Sequence, residues 1–322
     1  MKAQNTIALA IGDPNGIGPE IAVKAAAHYA GTECRVVLVG SEHVIRHYAA
    51  RHAPQLALHR FGSVDADAGL SFHDVNALDA ADFAPGVISA AAGRATVAYV
   101  AAAVELARSE RVKAIVGCPH SETAINSAGI AFSGYPGLMA QLTGTPADQV
   151  FLMLMASGLR IAHVTLHESV ATALGRISVE LVVEAGQAAV EALRRLGLPN
   201  PSLGVFGINP HAGEDGLFGD EDESITKPAV ARLRALGIAA DGPFGADLLL
   251  GQRKHDAYLA MFHDQGHIPI KLLSPLRASA LSIGAGVLFS SVGHGSAFDI
   301  AGKGEADPVA VIETLSLLHR TF

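Results

Sequence analysis

The feature of this chain that most constrains its fold is an alternation of short apolar runs with longer amphipathic segments. The apolar runs have the length of buried strands and read TIALAI, RVVLVG, KAIVGC, VFLMLM, LRIAHVTL, SLGVFGI, AYLAMF and ASALSI. Segments with helical spacing of apolar residues lie between several of them, such as GPEIAVKAAAHYA and VELVVEAGQAAVEALRRLG. Because continuously apolar strands are covered on both faces, the pattern predicts an α/β fold with a largely parallel sheet.

Two stretches depart from this alternation. In VFLMLMASGLRIAHVTL only ASG separates two strand-like runs, which predicts an antiparallel hairpin. The stretch RFGSVDADAGLSFHDVNALDAADFAPG is the least regular part of the chain, and we expect surface loops there. The length of 322 residues suffices for a two-domain α/β protein.

The composition argues against binding to nucleic acid, insertion into a membrane and secretion. Half of the residues are hydrophobic and 17% are charged, which is typical of a globular protein, and the net charge of −8 does not favour binding to nucleic acid or to an anionic membrane. We find neither a signal-peptide pattern nor an uninterrupted apolar run of the roughly 18–20 residues that span a bilayer. Cys34 and Cys118 lie in apolar strand-like runs and are expected to be buried free thiols. These features predict a cytoplasmic protein.

Two glycine-rich loops are candidate binding elements. The first strand leads into GDPNGIGPE, where glycines let the backbone approach a ligand and a helix follows. Its spacing is not that of the dinucleotide fingerprint, so the loop is either an anion or substrate site or a tight turn without a ligand. The second loop, SSVGHGSAFDIAGKGEADP, is either a binding loop or an irregular connection before the last helix, for which Asp307 is the expected N-cap.

Three histidines follow strand-like runs and are candidate metal ligands: His167, His211 and His263. Ligands of parallel α/β sheets collect at the carboxyl ends of the strands, and converging imidazoles would suit zinc or another divalent ion. Asp247 is a candidate fourth ligand or a residue that orients one. The alternative is that each histidine is an ordinary surface or hydrogen-bonding residue, because spacing alone does not prove convergence.

Four motifs, in this order, resemble the 4-hydroxythreonine-4-phosphate dehydrogenase family: GDPNGIGPE, GINPHAGEDG, HDQGHIPIK and GHGSAFDIAGKGEAD. The resemblance implies two α/β/α domains like those of isocitrate and isopropylmalate dehydrogenases, with the active site in the cleft between them. We expect residues 1–125 with 275–322 to form the cofactor domain, and residues 126–274 to carry the metal ligands and the dimer contacts. The resemblance further implies a homodimer with shared active sites, NAD as oxidant, and a divalent metal (zinc, or Mg, Mn, Co or Fe) on His167, His211 and His263.

Departures from the family pattern bear on the substrate. Where the phosphate-ester enzymes carry a His-Thr pair this chain has Tyr135 and Pro136, and Ala280 and Phe289 replace an asparagine and an arginine. These changes remove hydrogen bonds and charge that would hold a phosphate. Together with GIAFSGYP, HVTLHESV and SSVGHGSA, they resemble the terephthalate cis-dihydrodiol (1,2-dihydroxy-3,5-cyclohexadiene-1,4-dicarboxylate) dehydrogenase branch of the family. That branch implies oxidation of a dicarboxylate dihydrodiol, followed by decarboxylation to protocatechuate.

The resemblance also implies roles for single residues. Lys271 is the expected substrate-contacting and catalytic lysine, with Asp264 and Asp247 as candidate bases or orienting residues. Candidate groups for the ring and carboxylates of the substrate are Tyr135, Arg160, Arg253 and Arg277. The cofactor is expected along Gly12, Asp13, Gly16, His294, Gly295 and Asp299. Retained activity on a 4-phosphate substrate, a non-catalytic ligand-binding protein on the same scaffold, and NADP in place of NAD stay open.

Overall fold

The computed structural model describes residues 6–63, 69–274, 278–292 and 295–319. Its strands are β1 Thr6–Ala10, β2 Arg35–Gly40, β3 Leu58–Arg60, β4 Leu70–Asp74, β5 Ala114–Gly117, β6 Phe151–Ala156, β7 Leu159–His163, β8 Ser202–Phe206, β9 Ala239–Phe244, β10 Ala257–Ala260, β11 Ser279–Ile283 and β12 Phe289–Val292. Its α-helices are α1 Gly18–Tyr29, α2 Glu42–His52, α3 Ala90–Arg108, α4 Glu122–Ser127, α5 Tyr135–Thr143, α6 Val170–Arg176, α7 Val179–Arg195, α8 Lys227–Ala235, α9 Ala246–Gln252, α10 His263–Leu273 and α11 Val309–His319. A mixed α/β architecture is thereby confirmed.

The chain divides into two compact units. The first comprises the described residues up to Leu138 together with those from Val287 onward, and the second runs from Met139 to Gly286. The first unit is therefore discontinuous in sequence, with the second inserted into it. The predicted division has the same order along the chain, with its boundaries after residues 125 and 274.

The sheet of the first unit has the strand order β3-β4-β2-β1-β5-β12, and every described pairing in it is parallel. All five residues of β1 are buried. Because successive side chains of a strand point to opposite faces, this burial means that both faces of the sheet are covered there. The segment predicted to hold surface loops also contains β4, which pairs with β2 and β3, so the prediction missed a strand there.

The sheet of the second unit has the order β11-β6-β7-β10-β8-β9. Strands β7, β10, β8 and β9 run parallel, whereas β6 pairs antiparallel with both β7 and β11. The predicted hairpin is confirmed: β6 and β7 are joined by Ser157 and Gly158, which both have positive φ values (49° and 78°). A parallel sheet with a hairpin at one side brings four strand ends to a common edge, where the candidate ligands lie.

Helix α3 has the length and composition of a membrane-spanning helix, with a mean hydropathy of 1.2 over its most apolar window. It packs against β1, β2 and β5 and buries residues such as Tyr99 and Val100. These contacts are those of a core helix in a layered α/β domain.

Candidate active site

Four predicted site residues follow the carboxyl ends of four neighbouring parallel strands of the second unit. His167 follows β7, His263 follows β10, His211 follows β8 and Asp247 follows β9. Since these strands are adjacent in the order β7-β10-β8-β9, the four residues succeed one another along one edge of the sheet. Carboxyl-terminal edges of parallel sheets are where ligands bind in α/β proteins.

The structure brings two of the three predicted metal ligands together. The ring centroids of His167 and His263 are 5.4 Å apart. His263 also stacks on His267, with ring centroids 3.6 Å apart and planes inclined by 14°. His267 in turn lies next to His163, a fully buried residue at the end of β7. Four histidines therefore cluster at the ends of β7 and β10.

The ring of His263 has a defined tautomer. Its Nδ1 lies 2.7 Å from Oδ1 of Asp264. A carboxylate only accepts hydrogen bonds, so Nδ1 carries a proton, and in the neutral form of the ring Nε2 has the free lone pair. A histidine oriented in this way by a carboxylate has the arrangement found in metal-binding histidines. Asp264, proposed above as a base or an orienting residue, is placed to orient His263.

His211 lies in a strained loop after β8. His211, Ala212 and Glu214 all have positive φ values (54°, 55° and 42°), which non-glycine residues rarely adopt. The His211 side chain is 74% exposed, and its Nδ1 lies 3.2 Å from Oε2 of Glu214. Within the described residues no three His, Cys, Asp or Glu side chains are arranged to hold one metal ion. Within one protomer the ring of His167 therefore lies beside that of His263, whereas His211 contacts Glu214 and Phe218.

Two side chains, the buried Asp222 and the partly buried Gln265, shape this loop and the start of α10. Both carboxylate oxygens of Asp222 accept backbone N–H groups, from Ile208 at 2.8 Å and from Asn209 at 2.9 Å. Gln265 accepts the N–H groups of Met261 and Phe262 through Oε1 and donates from Nε2 to the carbonyl of Gly207 at 3.0 Å. The side chain of Gln265 therefore ties the His263 helix to the loop that carries His211.

The motif HDQGHIPIK forms most of helix α10, although it contains Pro269. His263, His267 and Lys271 are spaced by four residues and share one side of this helix. Lys271 is exposed, as expected for a group that meets a substrate. Burial lowers the pKa of His267 to about 4 and that of the more deeply buried His163 to about 3, so both rings are neutral at pH 7.

Of the remaining predicted residues of the second unit, Asp247 and Arg253 lie at its surface. Asp247 is exposed in the first turn of α9, and Arg253 is exposed just after its end, in a left-handed conformation. Arg160 is partly buried and donates to the carbonyl oxygen of Asp256 at 3.1 Å, so its charge already has a partner. Arg277 lies outside the described residues, as does His294 of the first unit.

In the first glycine-rich loop, backbone N–H groups donate hydrogen bonds to acceptors within the protein. Asp13 N–H donates to Pro119, Gly16 N–H to Asp13 and Ile17 N–H to Ser296. A Cβ at Gly12 would collide with the Pro119 carbonyl, which explains the glycine there. Free N–H groups are what a phosphate site requires, so this geometry favours the tight turn over the anion site. Oδ2 of Asp13, which is buried, has no hydrogen-bond partner in the described part of the chain.

The second glycine-rich loop is held by a buried ion pair that the sequence analysis missed. Glu20 is fully buried, pairs with Lys24 at 2.7 Å and accepts the backbone N–H groups of Gly304 and Ala306. Lys24 donates to the carbonyls of the same two residues. The i,i+4 spacing of Glu20 and Lys24 was the available signal. Gly295 and Asp299, which precede these residues in the same loop, are exposed.

Tyr135 belongs to an aromatic cluster in the first unit. Its ring centroid lies 4.5 Å from that of Phe289 and 4.6 Å from that of His120, with Phe132 at 5.8 Å. The Tyr135 side chain is 5% exposed and Phe289 is fully buried. Burial raises the pKa of the Tyr135 hydroxyl and lowers that of His120 to about 4, so the cluster carries no charge at neutral pH. In this arrangement Phe289 fills the core, Tyr135 and Phe132 are almost fully buried, and His120 is the most exposed member of the cluster.

Comparison with known proteins identifies one family and relatives that differ in sequence identity to this chain. The family model described as "Pyridoxal phosphate biosynthetic protein PdxA" matches residues 32–318. The chain is 52% identical to the 1,2-dihydroxy-3,5-cyclohexadiene-1,4-dicarboxylate dehydrogenase of a Comamonas species, over 97% of this chain and 96% of the relative. It is 39% identical to the D-threonate 4-phosphate dehydrogenase of Cupriavidus necator, over 96% and 95% of the two chains.

Solved structures follow this grading by sequence identity but not by superposition, since a 4-hydroxythreonine-4-phosphate dehydrogenase from Klebsiella pneumoniae has a TM-score of 0.87 at 34% identity, over 99% of both chains. A terephthalate 1,2-cis-dihydrodiol dehydrogenase from Burkholderia xenovorans superposes with a TM-score of 0.81 at 52% identity, over 98% of both chains. A β-decarboxylating dehydrogenase from Thermococcus kodakarensis superposes with a TM-score of 0.51 at 16% identity, over 98% of this chain and 82% of the other. The likeness to the Thermococcus kodakarensis enzyme concerns the fold alone.

Proposed function

The chain belongs to the PdxA family, and on that premise we propose that it is a dehydrogenase for a cis-dihydrodiol dicarboxylate, with decarboxylation of the oxidised product. The observation that carries this proposal is the 52% identity, over nearly the whole chain, to the dihydrodiol dicarboxylate dehydrogenase. The 4-phosphate dehydrogenase relative reaches 39%. The uncharged cluster around Tyr135, where the phosphate enzymes of the family are expected to carry polar groups, supports the same choice.

The reaction assigned to the enzyme has two parts. Bound NAD would supply the acceptor for a hydride from the carbon of the secondary alcohol, whose hydroxyl loses its proton. The product is a ketone next to the carbon that bears a carboxylate. The C–C bond to that carboxylate then breaks, CO2 leaves, and the electron pair restores the aromatic ring as protocatechuate.

Two histidines of this cluster, His167 and His263, would supply part of the ligand set of a divalent metal such as zinc. His263 offers a free Nε2 because Asp264 occupies its Nδ1, and His167 lies beside it. His211 has the same arrangement, since the adjacent carboxylate of Glu214 accepts from its Nδ1. Neutral imidazoles are the form that binds metals. A bound divalent ion would supply Lewis acidity toward the substrate hydroxyl and the carbonyl formed from it.

We propose that the site is completed in a homodimer. The second unit exposes several large apolar side chains that water disfavours: Val170, Leu217, Phe218, Leu248, Ile268 and Leu272. Phe218 contacts the His211 ring, at 5.9 Å between centroids, and Ile268 and Leu272 lie on the helix of His263. Apolar exposure next to ligand residues supports an interface at which His211 of one protomer meets the pair His167 and His263 of the other.

The chain's own residues would hold and orient the substrate. Lys271 is exposed two helical turns from His263 and would pair with a substrate carboxylate or take part in proton transfer. Asp264 would hold the ring of His263, and Tyr135 would offer an apolar edge to the diene ring. Arg253, Arg277 and Asp247 remain predictions for carboxylate binding and orientation.

The cofactor is proposed to lie along the glycine-rich elements of the first unit. Gly295 and Asp299 are accessible, whereas Gly12, Asp13 and Gly16 are buried and would act by shaping the loop. Reliance on NAD and the two buried free thiols, Cys34 and Cys118, suit a cytoplasmic enzyme.

A parallel NAD-reduction assay tests the proposal. The dihydrodiol dicarboxylate, 4-phosphohydroxythreonine and D-threonate 4-phosphate are compared with the same preparation, and protocatechuate is identified by chromatography. We expect kcat/KM to favour the dihydrodiol by about a hundredfold or more, because two lost charge-assisted hydrogen bonds cost a phosphate roughly 3–6 kcal/mol. Equal or better turnover of either phosphate would assign the chain to the parent activity instead.

A further inference from the structure

A buried histidine pair joins β7 to α10. Nε2 of His163 lies 3.1 Å from Nδ1 of His267, and Nδ1 of His163 lies 3.1 Å from the carbonyl oxygen of Leu152 on β6. His163 is fully buried, and His267 is partly buried. Neither residue was given a role by the sequence, although both stand four residues from a candidate ligand, His167 or His263.

The contacts fix the direction of every hydrogen bond in the pair. The Leu152 carbonyl only accepts, so Nδ1 of His163 carries a proton and donates to it. Nδ1 of His267 also carries a proton, because the carbonyl oxygen of His263, 3.2 Å from it, only accepts, and Nε2 of His163 therefore accepts from it. Both rings thus have one defined tautomer.

The pair reaches His263 by direct contact. The imidazole of His267 stacks on that of His263, at 3.6 Å between centroids. Gly266, between these two residues, makes room for the arrangement, since a Cβ there would collide with the ring of His163. A buried ring therefore fixes His267, and His267 fixes one face of His263, while Asp264 fixes its edge.

We propose that His163 and His267 are positioning residues, which hold the ring of His263 in the orientation that binds the metal. The proposal rests on the proposed function, because it assigns His263 as a ligand. It assigns the second histidine of HDQGH to the support of the first, in place of a direct role in catalysis. Outer-sphere partners of metal ligands typically change metal affinity about 10–100-fold when they are removed.

The test measures Co²⁺ binding to the metal-stripped full-length protein by visible absorption. His163→Leu removes the acceptor, and His267→Phe keeps a ring that can stack on His263 but removes the donor. We expect both variants to bind Co²⁺ about 10–100-fold more weakly and to change its absorption bands. His47→Leu, which removes a partly buried histidine of the first unit, serves as the control and is expected to bind as the wild type does.

The outcomes separate this proposal from the metal assignment. If His263→Ala abolishes Co²⁺ binding while both support variants keep wild-type affinity and spectrum, the metal role stands and the positioning role is overturned. If only His267→Phe binds Co²⁺ as the wild type does, the hydrogen bond from His267 to His163 is not needed to position His263. That result overturns the hydrogen-bond role, because stacking of the ring on His263 then suffices. If the wild type binds no Co²⁺, ¹⁵N spectra of histidine-labelled protein test the proposal instead. The stated tautomers, together with His263 signals that change in His163→Leu, support the positioning role. Unchanged His263 signals in that variant refute it.

Discussion

Replacement of Asp13 by asparagine is expected to change how the stability of this protein depends on pH. The Asp13 side chain is fully buried at the turn between β1 and α1. Its Oδ1 accepts the N–H of Asn15 at 2.9 Å, whereas Oδ2 has no partner among the described residues. The asparagine side chain of the variant keeps the acceptor and the shape but removes the titratable group, so the substitution isolates the charge.

Burial raises the pKa of Asp13 from 3.8 to about 6, against the opposing effect of hydrogen bonds from the backbone of Asn15 and Gly16. The native state therefore binds this proton more tightly than the unfolded chain does. The stabilising contribution is complete below pH 3.8 and is lost as pH rises through 6. At about 1.4 kcal/mol per pKa unit, the loss is about 3 kcal/mol, of which about 2 kcal/mol falls between about pH 4.5 and pH 8. Tyr99, whose hydroxyl senses the charge of Asp13, stays neutral over this range because burial raises its pKa to about 12.

Urea unfolding of the wild type and of Asp13→Asn at pH 4.5, 6 and 8 measures the effect. The free energy of unfolding of the variant, minus that of the wild type, is expected to rise by about 2 kcal/mol over this range, whatever its value at pH 4.5. Asp79→Asn, which changes an exposed carboxylate in the same unit, is the control and should give a constant difference. A constant difference for Asp13→Asn as well would show that the buried carboxyl titrates normally and refute the reasoning.

Three further predictions concern other parts of the molecule. His211→Ala should lose more metal affinity than the about 10–100-fold expected for an outer-sphere partner, because it removes a proposed direct ligand; metal analysis after dialysis checks this. Glu20→Gln should destabilise the protein by about 3 kcal/mol because Lys24 loses its buried partner, and the double variant with Lys24→Met should recover part of this in urea unfolding. Gly266→Ala should cost about 1–3 kcal/mol in the same measurement, since the new methyl group must displace His163, and a cost near zero would contradict the packing described here.

The periodicity of the sequence predicted the layered fold well, and its failures have local causes. Strand β4 was not predicted because LSFHD is short, ends in polar residues and lies in a loop-rich stretch. Only its pairing with β2 and β3 defines it as a strand. Helix α10 escaped it because Pro269 argues against a helix interior. Packing of Ile270 into the core beside Leu249 and Tyr258 supports the helix despite that proline.

For the candidate site, the residue types and their order were readable, but their partners were not. The strand-end rule selected His167, His211 and His263, and the parallel order of β7, β10 and β8 brings their loops to one edge. It gave no reason to connect His163 with His267, which are 104 residues apart in sequence and meet only because β7 and α10 pack together.

The sequence by itself determined the fold class and the candidate ligands. Residue types and local spacing suffice to identify strands that are buried on both faces and histidines that can bind a metal. Only the tertiary structure decided which groups meet. It made the GDPNG turn a closed element with a buried carboxyl at Asp13, clamped the second glycine-rich loop on Glu20, and gave His263 a defined tautomer. Hydrogen bonds and stacking depend on distances of a few ångströms between residues far apart in the chain, and folding alone sets those distances.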